Sequence, residues 1–127
     1  MYSETFLDHF KNPRNAGELP APADVVEVEN PACGDIMRLS ARIEGGRVED
    51  VRYKVRGCTA SIAAGSALTE WMRGRTLEEL GGISAAVVTE AVGGLIPESR
   101  HAAVLCVDAV KSLLRKHRRN GVYSMAE

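Results

Sequence analysis

Two short stretches of this chain place a cysteine where metal or sulphur chemistry is feasible. In the first, Pro31-Ala32-Cys33-Gly34-Asp35, a thiol and a carboxyl sit two residues apart between two strand-like stretches. Gly34 lets the backbone turn so that both groups can point the same way. In the second, Gly57-Cys58 ends an alternating stretch and immediately precedes a helical one. Unpaired N–H groups and the positive end of the helix dipole favour negative charge there, which should lower the pKa of the Cys58 thiol. The thiolate is the form that binds soft metals or attacks sulphur, so the placement suits iron–sulphur chemistry or zinc. Each signal is weak by itself, because an isolated cysteine is commonly an inert small residue and a Cys-Gly-Asp turn is commonly just a turn.

The elements that must hold these groups follow from periodicity. Phe6, Leu7 and Phe10 give a short amphipathic helix over Glu4 to Lys11, which Asn12-Pro13 stops. Residues Asn15 to Pro22 read as a surface loop. Val25 to Glu29, Ile36 to Glu44 and Val48 to Val55 alternate apolar and polar residues and predict three strands, with Gly45-Gly46 as a hairpin turn. A helix is expected from about Thr59 to Arg73, ended by Gly74. Thr76 with Glu79 has capping-box spacing, and Ser84 can cap a further short helix that Gly93-Gly94 closes. A last helix runs from roughly Arg100 to Arg119 with Ala103, Cys106, Val107, Val110, Leu113 and Leu114 along one stripe, so Cys106 reads as core. Strands first and helices afterwards predict an α+β fold. His9 reads as a surface or half-buried side chain, Arg115 to Arg119 as a solvated helix end, and Trp71 and Met72 as packing residues.

Composition narrows the classes. With 127 residues, 45% of them apolar and 26% charged, the chain is expected to form a single domain over residues 1–127 with its own core. Sixteen basic against seventeen acidic residues give no field that would attract nucleic acid or an anionic membrane. No stretch approaches the roughly 18 apolar residues of a membrane span, and Met1-Tyr2-Ser3-Glu4 has no signal pattern, so a cytoplasmic location is expected. Three scattered cysteines do not make a disulphide framework.

Taken together, the segments resemble the IscU/NifU family of iron–sulphur cluster assembly scaffolds along nearly the whole chain. Tyr2-Ser3-Glu4 and Asp8 to Asn15 are similar to the family's opening helix and its Asn-Pro-Arg-Asn turn; Asn30 to Asp35 resembles its first ligand loop; Arg56-Gly57-Cys58 with Thr59 to Ser66 and Leu68-Thr69-Glu70-Trp71 resembles its second ligand and supporting helix. The resemblance implies a three-stranded antiparallel sheet packed against several helices, the SufE/IscU-like arrangement, with ligands converging at an exposed tip. It implies a scaffold or carrier rather than an enzyme, one that receives sulphur from a cysteine desulphurase, builds a [2Fe-2S] cluster and passes it to apo iron–sulphur proteins. By position Cys33, Asp35 and Cys58 match family ligands, and His101 matches a histidine at the start of the last helix that can also coordinate metal.

Two positions depart from the family pattern. The residue after His101 is Ala102 where a third cysteine is usual. Cys106 stands four residues later, one turn and about 6 Å along the helix, and could substitute only if the helix shifted. The set Cys33, Asp35, Cys58 and His101 still offers the mixed S, N and O donors that zinc or iron accepts, so the alternative expectation is a zinc-binding relative that serves as partner or sulphur acceptor of the desulphurase. Leu95-Ile96-Pro97-Glu98-Ser99-Arg100 replaces the Leu-Pro-Pro-Val-Lys segment that a dedicated chaperone recognises, which argues against that docking. The short span from Cys58 to His101 has no room for the insertion of the zinc-dependent SufU branch and points to the IscU-like branch.

Overall fold

The computed structural model describes residues 2–126, with side chains through residue 120. Met1 and Glu127, the limits of the expected domain, lie outside the described residues. The order of elements is α1 (Glu4–Lys11), β1 (Asp24–Glu29), β2 (Ile36–Glu44), β3 (Arg47–Arg56), α2 (Thr59–Met72), α3 (Leu77–Gly81), α4 (Ala85–Ala91), a 3-10 turn (Pro97–Ser99) and α5 (Arg100–Ala126). The three strands form an antiparallel sheet in the order β1-β2-β3. This is the α+β arrangement that the alternation predicts, with strand ends within two residues of expectation.

One register detail explains an irregular pattern in β3. Val51 and Tyr53 face the core at the expected period of two, yet Val48 is buried as well, three residues from Val51. Arg42 pairs with Asp50 whereas Ile43 pairs with Val48, so Glu49 is an extra residue in a bulge that turns Val48 back inward. Met37, Leu39 and Ala41 of β2 lie on the same buried face. The segment before β1 starts at the free edge of β3, where Ala16 makes a parallel bridge to Tyr53, and continues over the opposite face, where the Leu19 N–H donates to Ser40 Oγ at 3.0 Å.

α2 is the centre of the helical layer. Its sequence TASIAAGSALTEWM buries Ala60, Ser61, Ala63, Ala64, Gly65, Ser66, Ala67, Leu68, Thr69 and Met72, leaving almost no solvated face. Such a helix is stable only when covered on all sides, and α1, β3, α4 and α5 supply the cover. Small side chains let these neighbours come close. At Gly65 an added Cβ would lie 2.4 Å from the ring of Tyr53. The Tyr53 hydroxyl donates to the Ile62 carbonyl at 2.8 Å, and burial pushes its pKa up to about 12.

α1 differs from expectation in one residue. The Ser3 hydroxyl caps the helix by accepting from the Phe6 N–H, and Phe6 is wholly buried as its spacing implies. His9, however, is buried too, with 5% of its surface exposed. Its Nδ1 lies 2.8 Å from Ser66 Oγ on α2, and Ser66 Oγ in turn accepts from the Arg14 N–H. Nε2 faces Glu70 at 3.5 Å, and Arg14 bridges to Asp8 and Glu70. The imidazole is therefore a polar rivet between two helices, which a surface reading of position 9 misses. Burial and the Arg14 charge lower its pKa from 6.5 against the opposing pull of Glu70 and Asp8.

α5 also exceeds its expected length, continuing past Arg119 to Ala126. Its basic segment is only partly a solvated end: Lys116 Nζ donates to the Val25 carbonyl at 2.7 Å and His117 Nδ1 lies 2.8 Å from Asp24 Oδ2, tying the helix to β1. Trp71 is half-buried with Arg75 stacked over its ring, and Met72 is in the core, as packing roles require.

Two outcomes follow. Gly65→Ala forces Tyr53 or α2 to move, so the variant should lose about 1–3 kcal/mol of stability in urea unfolding even though alanine is the better helix former. A lowered His9 pKa means that the unfolded chain binds the proton more readily. The stability this residue contributes is complete above the ordinary imidazole value and is lost as pH falls through the lower folded value. The melting temperature should therefore fall as pH drops below the ordinary imidazole value of about 6.5, and His9→Gln should flatten that slope.

Candidate metal centre

Three separate parts of the chain meet at one end of the molecule. The loop from Asn30 to Asp35 brings Cys33 and Asp35, the start of α2 brings Cys58, and the start of α5 brings His101. Asn30, itself buried, shapes the loop: its side-chain oxygen accepts from the Ala32 N–H at 2.9 Å, its carbonyl accepts from the Gly34 N–H at 2.7 Å, and its N–H donates to the Asp35 carbonyl. Gly34 has φ +78°, a left-handed conformation that a side chain would strain. The Asn30 amide also reaches the His101 carbonyl at 3.5 Å, linking the loop to α5.

Ligand atoms of Cys33, Asp35 and His101 all lie within 4.8 Å of one another. Cys58 joins through its sulphur, 3.3 Å from His101 Nε2, and His101 Nε2 is 3.6 Å from Asp35 Oδ2. Donors around a tetrahedral zinc stand about 3.5 Å apart; the Cys58–His101 and His101–Asp35 separations match that spacing, whereas Cys33 is placed only within 4.8 Å of Asp35 and His101, and Cys58 reaches the group through His101. Cys33 and Cys58 are exposed, whereas Asp35 is buried. The arrangement thus has open thiols above a fixed carboxylate.

The carboxylate is fixed by α2. Asp35 Oδ2 accepts from Ser61 Oγ at 2.7 Å and from the Cys58 N–H at 3.3 Å. Burial pushes the Asp35 carboxyl upward, but the hydrogen bonds from Ser61 and Cys58 and the field of His101 outweigh it and hold the pKa below 3.8. Gly57 makes the approach possible, since a Cβ there would stand 2.5 to 2.8 Å from the carboxyl atoms of Asp35. Cys58 is the N-cap residue of α2, and its carbonyl accepts from the N–H groups of Ser61 and Ile62.

Sequence reasoning gives Ser61 no role and meets Asn30 and Gly57 only as members of the two cysteine-bearing stretches. Ser61 carries a legible signal, because it lies three residues after Cys58 and so on the same helix face. Asn30 and Gly57 act through a turn and a close approach that only coordinates reveal.

Cys106 is the residue that the structure keeps away. It is wholly buried in the core cluster, and burial pushes its pKa up to about 12. As a neutral thiol among apolar neighbours it offers no thiolate to the group at the tip: the packing of α5 turns it inward, as its place on the apolar stripe implies, and the helix shift that a substitute ligand would need is not present. Ala102 is likewise wholly buried. The Pro97–Ser99 segment forms a 3-10 turn whose Ser99 hydroxyl pairs with Tyr2 at 2.9 Å.

Comparison with known proteins decides the lineage. The sequence profile described as the NifU-like N terminal domain matches residues 1–122. The chain belongs to this family. Among relatives of the NifU-like family, the iron-sulfur cluster assembly scaffold protein IscU of Azotobacter vinelandii is 44% identical over 121 residues, covering 92% of this chain and 94% of that protein. IscU 1 of Archaeoglobus fulgidus is 39% identical over 122 residues, 95% of this chain and 80% of that protein. A crystal structure of an iron-sulfur cluster assembly scaffold protein for the SUF system from Fervidobacterium islandicum AW-1 superposes with a TM-score of 0.74 at 21% identity, covering 89% of this chain and 96% of the other. At that identity the superposition establishes the fold alone. No helix among the described residues is long and apolar enough to cross a membrane.

Exposure separates the three thiols chemically. A thiol reagent such as DTNB should modify two of them, Cys33 and Cys58, in the native apo-protein and all three in denaturant. Rapid native modification of Cys106, read by mass spectrometry of peptides, would show that the packing of α5 described above is wrong.

Proposed function

We propose that this protein is an iron–sulphur cluster assembly scaffold or carrier, which holds its cargo on Cys33, Asp35, Cys58 and His101 and does not turn over a substrate as an enzyme does. The observation that carries this reading is the convergence of two exposed thiols, a carboxylate held in its charged form and an imidazole from three distant stretches of chain. Kinship with IscU scaffold proteins over most of the chain supports it. Iron or a [2Fe-2S] cluster is the cargo in this reading, a cysteine desulphurase supplies the sulphur, and apo iron–sulphur proteins receive the product. Thiolates bind the iron tightly, while a carboxylate and an imidazole are weaker partners that suit a cargo meant to leave. The proposed setting is the cytoplasm, and residues 1–127 act as one domain.

A second reading has its own observation. Ala102 supplies no sulphur and Cys106 is sealed in the core, so two thiolates remain, and the separations of His101 from Cys58 and from Asp35, 3.3 and 3.6 Å, are those of ligands on one tetrahedral ion. On that reading the protein binds zinc and serves as a partner or sulphur acceptor of the desulphurase.

Anaerobic reconstitution separates the two. With iron, sulphide and reductant, a scaffold should develop sulphide-to-iron charge-transfer absorption, which Cys33→Ala and Cys58→Ala each abolish. Spectra unaffected by either substitution would reject the site. Stoichiometric zinc by elemental analysis, with no cluster formed on reconstitution, would establish the second reading in place of the first.

A further inference from the structure

The hydroxyl of Ser61 is wholly buried at the tip, on the first turn of α2, where it touches two of the four donors. It lies 2.7 Å from Asp35 Oδ2 and 3.6 Å from Cys58 Sγ. A serine has one hydroxyl proton, and Asp35, an ionised carboxylate, can only accept. The proton therefore points to Asp35, and towards Cys58 the oxygen can act only as an acceptor. Ser61 thus acts on the carboxylate and adds no stabilisation to a Cys58 thiolate. With the Cys58 N–H as the other donor to the same oxygen, the carboxylate is held in one orientation against Gly57 before any cation arrives.

We propose that Ser61 is a positioning residue of the metal centre, orienting the Asp35 carboxylate so that it meets the cation without rearrangement. The proposal rests on the reading of Cys33, Asp35, Cys58 and His101 as one metal site. Partners that orient a ligand are worth about 10- to 100-fold in metal affinity. Removing the Ser61 hydroxyl leaves Asp35 with one donor fewer and free to rotate towards solvent, and that lost orientation is what a binding experiment detects.

The test uses the full chain and Co(II), whose thiolate charge-transfer and d–d bands report both affinity and geometry. Wild type, Ser61→Ala, Ser61→Thr, Asp35→Ala and the double variant Ser61→Ala/Asp35→Ala are titrated against a competing chelator. Alanine is the better helix former and fits within the volume of serine, and circular dichroism of the apo-proteins verifies that each is folded. Ser61→Ala should weaken Co(II) by about 10- to 100-fold and alter the d–d bands. Ser61→Thr, which keeps the hydroxyl, should stay within about threefold of wild type. In the Asp35→Ala background the serine substitution should add no further loss. Wild-type affinity in Ser61→Ala, an equal loss in Ser61→Thr, or an undiminished loss without Asp35 would each overturn the proposal. Failure of the metal-site reading itself appears elsewhere, in a wild type that binds no Co(II) or in binding that survives Cys33→Ala and Cys58→Ala, and it takes the role of Ser61 with it.

Discussion

The close approach of α2 to the sheet is the constraint on which the tip depends. Gly65 faces the Tyr53 ring at a distance that excludes any side chain, and the Tyr53 hydroxyl is bonded to the carbonyl of Ile62. These two contacts fix the helix along its axis and about it. Its first turn therefore begins close to the end of β3, with Cys58 and Ser61 beside the loop that carries Asp35. A bulkier helix would stand further from the sheet and leave Asp35 without its donors. The run of small residues from Ala60 to Ala67 is thus a requirement of position as much as of packing.

Charge is distributed at the tip in a way that follows from this placement. Asp35 is buried, a condition that ordinarily favours the neutral acid. Hydrogen bonds from Ser61 and Cys58, with the field of His101, reverse the balance and favour the charged carboxylate below two solvent-facing thiols. His101 arrives from the other side on a different helix, within reach of both Cys58 and Asp35. The donors thus belong to different elements, and their spacing is held by the packing between those elements.

Much of this was readable from residue types. Alternation located the three strands, and the cap residues Thr76 and Ser84 marked helix starts that the structure retains. Cys33, Asp35 and Cys58 stood out by their neighbours, whereas His101 entered through family resemblance alone, since an isolated histidine at a helix start carries no pattern. The misreadings share a cause. His9 reads as a surface or half-buried side chain because the pairing of α1 with α2 through Ser66 joins residues 57 positions apart, and Lys116 and His117 read as part of a solvated helix end because their partners lie on β1. The bulge at Glu49 was likewise invisible, because an extra residue in one strand can be recognised only from its neighbour's register.

The length of α5 gives its anchorage mechanical meaning. His101 sits at one end of the helix, and the pair formed by His117 with Asp24 holds it 16 residues further on. At 1.5 Å per residue the two points are about 24 Å apart. Between those points Ala103, Leu105, Cys106, Ala109, Val110 and Leu113 are buried, so the core itself resists a tilt of about 5°, which would swing the imidazole by about 2 Å away from the Cys58 sulphur. β1 thus serves the tip twice, since its first residue holds the far end of α5 and its last leads into the loop that carries Cys33 and Asp35.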